Sequence, residues 1–148
     1  MSGVVTDSAV NGVSLPEAGW NALIAGHYDV PVAFVSGDKA ICNQARELFG
    51  DVETVAVKDA IGAAAVCLHP EKAQEKIRAG VTKALQQLDR YKSYKLSPPY
   101  TLVLKLKTET RVYDGAFYPG AERTGDWELT YRSNDVMDIV KAFVWILK

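Results

Sequence analysis

Glu17 is the side chain whose type and position point most directly to chemistry in this sequence. It follows Ser14 at the spacing Ser-x-x-Glu, which is typical of a capping box, where hydroxyl and carboxylate satisfy backbone donors at a helix start. Spacing alone therefore favours capping as the role of Glu17. A carboxylate is also a zinc ligand, but catalytic zinc needs about three protein ligands, so Glu17 alone makes no metal site.

His27 and His69 are the only histidines, and each has a local structural interpretation. We expect His27 at the end of the first helix, where a cation favours the helix dipole. His69 precedes Pro70, a residue that often opens a helix. Neither position predicts a metal ligand.

Asp38, Lys58 and Arg123 are weaker candidates, each with a structural alternative. Asp38 follows a predicted strand, at the end where α/β sheets bind ligands, but it is also a natural helix N-cap. Lys58 ends the next predicted strand and suits a solvated surface equally well. Arg123 can pair with a carboxylate that the sequence does not identify.

Cys42 and Cys67 lie far apart and lack a Cys-x-x-Cys spacing, so neither a zinc ribbon nor a redox motif is indicated. We expect both to be reduced, partly buried apolar side chains. The nucleophile elbow Gly-x-Ser-x-Gly and the glycine-rich phosphate loops are absent from the sequence.

The first half of the chain reads β-α-β-α-β, with parallel pairing expected. A first strand precedes the turn Asn11-Gly12, and a helix capped by Ser14 runs from about Leu15 to Ala25 or Gly26. Residues 30–35 form an apolar run typical of an interior strand. Asp38 caps a second helix over residues 39–49, and residues 53–57 form the next strand.

The second half has a long helix from His69-Pro70, an alternating strand over residues 100–107, and a strand over residues 127–132. Asn134 is expected to cap the last helix. The fold class predicted is α/β, a three-layer α/β/α arrangement with a partly parallel, mixed sheet, forming a single α/β unit over residues 1–148.

Composition excludes several function classes. The net charge of −1 gives no basic footprint for nucleic acid, and 48% hydrophobic with 24% charged residues is an ordinary globular balance. No apolar run reaches the roughly 18 residues that span a bilayer, and no signal peptide is seen. These features predict a cytoplasmic protein with neither nucleic-acid nor membrane partners.

Motifs in a fixed order resemble the zinc-dependent D-aminopeptidases of the DppA type. The resemblance covers about residues 8 to 148. It is carried by Glu17-x-Gly19-x-Asn21-Ala22, Ala25-Gly26-x-Tyr28-x-Val30-Pro31-Val32, Gly37-Asp38, Val57-Lys58, Ile61-Gly62, Cys67-Leu68-His69-Pro70-Glu71-Lys72-Ala73, Pro119-Gly120-x-Glu122-Arg123 and Asp135.

The resemblance implies a hydrolase that removes N-terminal D-amino acids from short peptides, using two zinc ions. It also implies that Glu17 is a metal ligand, reversing the preference for a cap. The family's Asp-x-Glu pair and histidines lie in an N-terminal part that has no equivalent here, so this chain resembles the C-terminal portion of the family. The resemblance therefore implies two partners: the N-terminal part of the same enzyme, and further copies of the chain in a homo-oligomer.

Two residues depart from the family pattern. Pro16 stands where glycine usually precedes the glutamate, and Ala63 follows Ile61-Gly62 where arginine is common. The alternative function is a non-catalytic α/β binding or oligomerisation module that has lost the metal centre.

Overall fold

The computed structural model describes residues 3–148, which divide into two compact units. One unit contains the chain up to Trp20 together with Lys95–Lys148, and the other is Asn21–Tyr94. The single unit expected over residues 1–148 stays a prediction.

The elements follow the chain in this order: β1 (Val5–Val10), β2 (Val13–Ser14), α1 (Glu17–His27), β3 (Phe34–Asp38), α2 (Lys39–Phe49), β4 (Glu53–Ile61), β5 (Ala64–Cys67), α3 (Pro70–Leu85), a short 3-10 helix (Leu88–Arg90), β6 (Tyr100–Leu106), α4 (Glu109–Gly115), β7 (Ala121–Gly125), β8 (Glu128–Ser133) and α5 (Val136–Ile146). No helix among residues 3–148 is both long enough and apolar enough to cross a bilayer.

The first unit is built on a five-stranded sheet in the order β2-β1-β6-β8-β7, with every neighbouring pair antiparallel. The predicted turn at Asn11-Gly12 is confirmed, since both residues have positive φ, 53° and 78°. The predicted alternation in β6 is also confirmed: Leu102, Leu104 and Leu106 are buried, while Lys105 is exposed. α4 and α5 pack on this sheet.

The last helix forms as the sequence predicts, but its cap differs. The Asp135 carboxylate accepts a hydrogen bond from the Met137 backbone N–H at 2.8 Å, so Asp135, not Asn134, is the N-cap. Ser133 accepts from the Asp135 N–H and holds the turn one residue later than the pattern suggests. The prediction for Asn134 was wrong.

The second unit has a three-stranded mixed sheet, β3-β4-β5, in which β3 and β4 are parallel and β4 and β5 antiparallel. α2 spans the predicted residues 39–49 and ends at Gly50, whose φ is 69°. α2 and α3 both pack on β3 and β4. The predicted α/β class with a mixed sheet is confirmed.

Two expectations about the sheet were wrong. β1 does not join a parallel set with β3 and β4, because it pairs antiparallel with β2 and β6. The strand expected over residues 30–35 begins only at Phe34, and β3 lies at an edge of its sheet in the described chain, with Phe34 and Val35 half-buried. An apolar run predicts burial, but it does not specify how many strands flank it.

The region after β4 departs further from the sequence pattern. β4 continues to Ile61 and turns back as β5, a hairpin that the sequence did not indicate. α3 begins at Pro70 as predicted, but Leu85, expected to face inward, is 61% exposed. α3 approaches the sheet closely at Gly80, where a Cβ would lie 2.7 Å from the Phe34 ring.

Candidate functional site

Glu17 is the first residue of α1, and its side chain is exposed. The Trp20 N–H donates to the Pro16 carbonyl at 3.1 Å, so the helical hydrogen bonds start at Pro16. A carboxylate in the first helical turn interacts favourably with the helix dipole. The helix start thus holds Glu17 with its carboxylate accessible to a ligand.

The predicted capping box between Ser14 and Glu17 was wrong. Ser14 belongs to β2, where it pairs with Ala9 of β1, three residues before α1 begins. Its hydroxyl donates to the Asp7 carboxylate at 2.5 Å. The β1–β2 hairpin takes Ser14 as a strand residue, so its side chain serves the hairpin and not the helix.

A buried hydrogen-bond chain fixes the entry to α1. The Trp20 Nε1–H donates to Ser8 Oγ at 3.0 Å, and the Ser8 hydroxyl donates to the Leu15 carbonyl at 3.1 Å. The Leu15 N–H donates in turn to the Ser8 carbonyl at 2.8 Å. All three side chains are buried, so each polar group has a partner where water is excluded.

Packing reinforces these bonds. The Trp20 indole stacks on the Phe143 ring of α5, with centroids 3.9 Å apart and an interplanar angle of 15°. Gly19 is buried, and a Cβ there would lie 3.0 Å from Leu15 Cδ2 and 3.2 Å from Pro16 Cδ. The backbone on both sides of Glu17 is therefore held by the first unit's core, while Glu17 itself points to solvent.

Sequence reasoning missed Ser8 and Trp20 as the residues that position Glu17. The available signal was weak: Ser8 is a polar residue inside an otherwise apolar strand, which implies a buried partner if the strand is interior. The identity of that partner depends on tertiary packing between β1 and α1, which no local pattern specifies.

The described residues do not by themselves form a zinc site. Across residues 3–148, no three His, Cys, Asp or Glu side chains lie together in an arrangement able to hold a metal ion. His27 is the last residue of α1, with its ring edge-on to Tyr28, and His69 Nδ1 lies 4.0 Å from the Glu71 carboxylate. Glu17 supplies one ligand at most, and catalytic zinc needs about three.

The three weaker candidates have the structural roles that the sequence offered as alternatives. The Asp38 carboxylate accepts from the Ile41 N–H at 2.8 Å and caps α2. Lys58 is exposed and lies opposite Cys67 in the β4–β5 pair. Arg123 pairs with Asp126 at 2.9 Å. None of these contacts joins another candidate to Glu17.

The two cysteines differ sharply in environment. Cys42 is 1% exposed, and burial raises the pKa of its thiol. Cys67 is exposed at the end of β5, so the expectation that both are partly buried was wrong for Cys67. Its location in an uncovered hairpin, which the sequence did not predict, explains the difference.

The match to known proteins covers nearly all of the chain. Residues 1–145 match the peptidase M55 family, the D-aminopeptidases. The chain belongs to the D-aminopeptidase family. Glu17 and the residues whose buried hydrogen bonds hold it all lie within the region that matches the family.

Two relatives quantify the similarity. The chain is 36% identical over 141 residues to a D-aminopeptidase of Bacillus subtilis, covering 91% of this chain and 50% of that protein. It superposes on the zinc-dependent D-aminopeptidase DppA from Bacillus subtilis, described as a self-compartmentalizing protease, with a TM-score of 0.92 and 29% identity, over 97% of this chain and 53% of DppA. The chain therefore spans about half the length of the relatives it matches.

Proposed function

We propose that this chain forms part of a zinc-dependent metallo-aminopeptidase that removes N-terminal D-amino acids from short peptides. The family match over residues 1–145 carries the proposal. It is supported by the solved relative, a zinc-dependent D-aminopeptidase, which has the same fold over the region aligned.

Glu17 is the metal ligand that this chain contributes. Its carboxylate is exposed, it is not engaged in a capping box with Ser14, and its backbone is held by the Ser8–Trp20–Leu15 bonds. A ligand on a rigid element keeps its position when its partners arrive, which favours metal binding. Residues 3–148 hold no cluster of three metal-binding side chains, so completing a zinc site requires ligands from outside these residues.

The partners that follow are short D-amino-acid-containing peptides, the part of the enzyme that this chain does not match, and further copies of the chain. The self-compartmentalizing description of the solved relative supports a homo-oligomer. In that assembly the chain provides one carboxylate and its supporting core, and hydrolysis requires the completed site.

A chimera tests the proposal. Residues 1–148 replace the matching half of the Bacillus subtilis D-aminopeptidase, and bound zinc is measured after dialysis. The chimera should retain zinc, its Glu17→Gln variant should retain clearly less because an amide is a poorer zinc ligand, and residues 1–148 alone should hold less than one equivalent.

Lys76→Gln in the chimera serves as the control, since it alters an exposed side chain on α3 that is no part of the proposed site. A folded chimera that holds no zinc and leaves D-alanyl peptides intact would favour the non-catalytic module instead. If residues 1–148 alone held zinc tightly, and substitution of His27 or His69 abolished that binding, the assignment of the ligands would be contradicted.

A further inference from the structure

The distal half of the β4–β5 hairpin is an apolar arm without cover. Residues 58–67 are exposed on both faces of the hairpin, whereas the preceding half of β4 is largely half-buried beneath α2 and α3. Ile61 and Val66 are 69% and 68% exposed. A two-stranded hairpin in water is marginal by itself, so an arm of this composition gains most from a partner that covers it.

The outer edge of β5 is unprotected. In the part of the chain that the structure describes, β5 pairs only with β4. Proteins protect such edges with charges, prolines or bulges. Residues 60–68 contain neither a charge nor a proline. The arm therefore offers free backbone donors and acceptors flanked by alanine, valine and cysteine side chains.

We propose that this arm, residues 58–67, binds the same arm of a second copy of the chain, by antiparallel pairing of the two β5 strands about a twofold axis. The proposal rests on the self-association included in the proposed function and names the surface responsible. A second copy is favoured over an unrelated protein because its β5 presents an equally unpaired and uncharged edge, and an isologous contact requires no other surface.

The register of the pairing follows from the hydrogen bonds of β5. The Leu68 N–H donates to the Val57 carbonyl at 2.9 Å, so the backbone of Leu68 faces β4. Because hydrogen-bonding direction alternates along an antiparallel strand, the backbone N–H and C=O groups of Val66 and Ala64 also face β4. Those of Ala65 and Cys67 face away from β4. Pairing Ala65 with Cys67 of the second copy uses the outward-facing backbone groups of both residues in each strand. The twofold axis then passes between the two Val66 residues.

The side chains are compatible with that register. The Ala64 and Ala65 side chains are too small to clash with neighbours across the contact, and the two Val66 side chains lie next to each other at the axis. Asp59 pairs with Lys39 at 3.5 Å and lies on β4, one strand away from the new contact. An interface with about ten residues on each side is below the standard size, so association should depend on protein concentration.

Cysteine cross-linking tests the register. Residues paired by hydrogen bonds across antiparallel strands have Cα atoms about 5.5 Å apart, within the range that a disulfide bridges. The Ala65→Cys variant should form a covalent dimer through Cys67 of the second copy when copper(II) phenanthroline is the oxidant, which accepts two electrons while the two thiol protons are released to solvent. Ala64→Cys is the matched control, because residue 64 lies on the opposite face from Cys67 and should not cross-link.

Sedimentation velocity tests the surface. The chain should form dimers as its concentration rises, and Val66→Asp should raise the dissociation constant about tenfold or more, since it places two carboxylates together at the axis. Val144→Asp is the control, because Val144 is an exposed valine, 50% accessible, on α5 of the first unit. Circular dichroism should show an unchanged fold for both variants.

The outcomes separate this proposal from the proposed function. Dimers that survive Val66→Asp, or equal cross-linking at positions 64 and 65, would overturn the arm while leaving another self-association surface. A chain that stays monomeric at every concentration would also overturn it. Zinc binding and hydrolysis by the chimera are measured independently and decide the enzymatic assignment.

Discussion

Removing the Ser8 hydroxyl should destabilise the entry to α1 through a buried hydrogen bond that Trp20 cannot replace. In Ser8→Ala the Trp20 indole N–H loses its only acceptor among the described residues, and the Leu15 carbonyl loses a donor. Leaving a buried donor without an acceptor costs about 1–3 kcal/mol, and losing a satisfied hydrogen bond costs about 1 kcal/mol. The free energy of unfolding should therefore fall by about 2–4 kcal/mol.

A double-mutant cycle isolates the bond between Ser8 and Trp20. Trp20→Phe keeps a ring to stack on Phe143 but removes the N–H, so Ser8→Ala in that background should cost only about 1 kcal/mol. The coupling free energy of about 1–3 kcal/mol is measured by urea unfolding followed by circular dichroism. The unfilled volume left by Trp20→Phe is common to both Trp20→Phe proteins and cancels in the cycle.

Ser14→Ala is the control for this experiment. The Ser14 hydroxyl bonds to Asp7 at an exposed position, so its loss should cost about 1 kcal/mol or less. Equal costs for Ser8→Ala and Ser14→Ala, or a Ser8→Ala cost that is unchanged by Trp20→Phe, would refute the view that the buried bond positions the start of α1.

Three further predictions test the packing and the thiols. Gly115→Ala should destabilise the first unit by about 1–3 kcal/mol, measured by thermal unfolding, because the new Cβ would lie 2.5 Å from Leu129 Cδ1. Asp38→Ala should cost about 0.5–2 kcal/mol through loss of the α2 cap, whereas Asp38→Asn should cost less in urea unfolding. A disulfide reagent at pH 8 should label Cys67 rapidly in dilute native protein and Cys42 only after unfolding, because burial both blocks the Cys42 thiol and raises its pKa; rapid labelling of two thiols would contradict this environment.

Local patterns predicted the elements whose signals are complete within a few residues. The Asn11-Gly12 turn, the Asp38 cap and the alternating strand β6 all form as expected, because turn geometry, capping and strand alternation depend on adjacent side chains. The pairing of β1 did not follow from its sequence. Its partner β6 begins 90 residues later at Tyr100, and nothing local to Val5–Val10 indicates that choice.

The candidate site shows the same division. The order of motifs assigned the chain to a family and selected Glu17, since order and spacing persist where individual patterns are ambiguous. The capping box failed because Ser14 had a competing role in the β1–β2 hairpin, where it pairs with Ala9. The bonds that hold Glu17 in place join residues from β1, the β2–α1 connection and α1, so only the folded chain brings them together.

The most direct test of the account is the rate at which the chimera hydrolyses a D-alanyl peptide, compared between Glu17 and Glu17→Gln at equal concentrations of folded protein. The account predicts turnover by the chimera, loss of turnover in Glu17→Gln because the metal loses a ligand, and nearly unchanged turnover in the Lys76→Gln control. An active Glu17→Gln chimera with turnover equal to the parent would contradict the claim that this chain contributes Glu17 to the catalytic metal site.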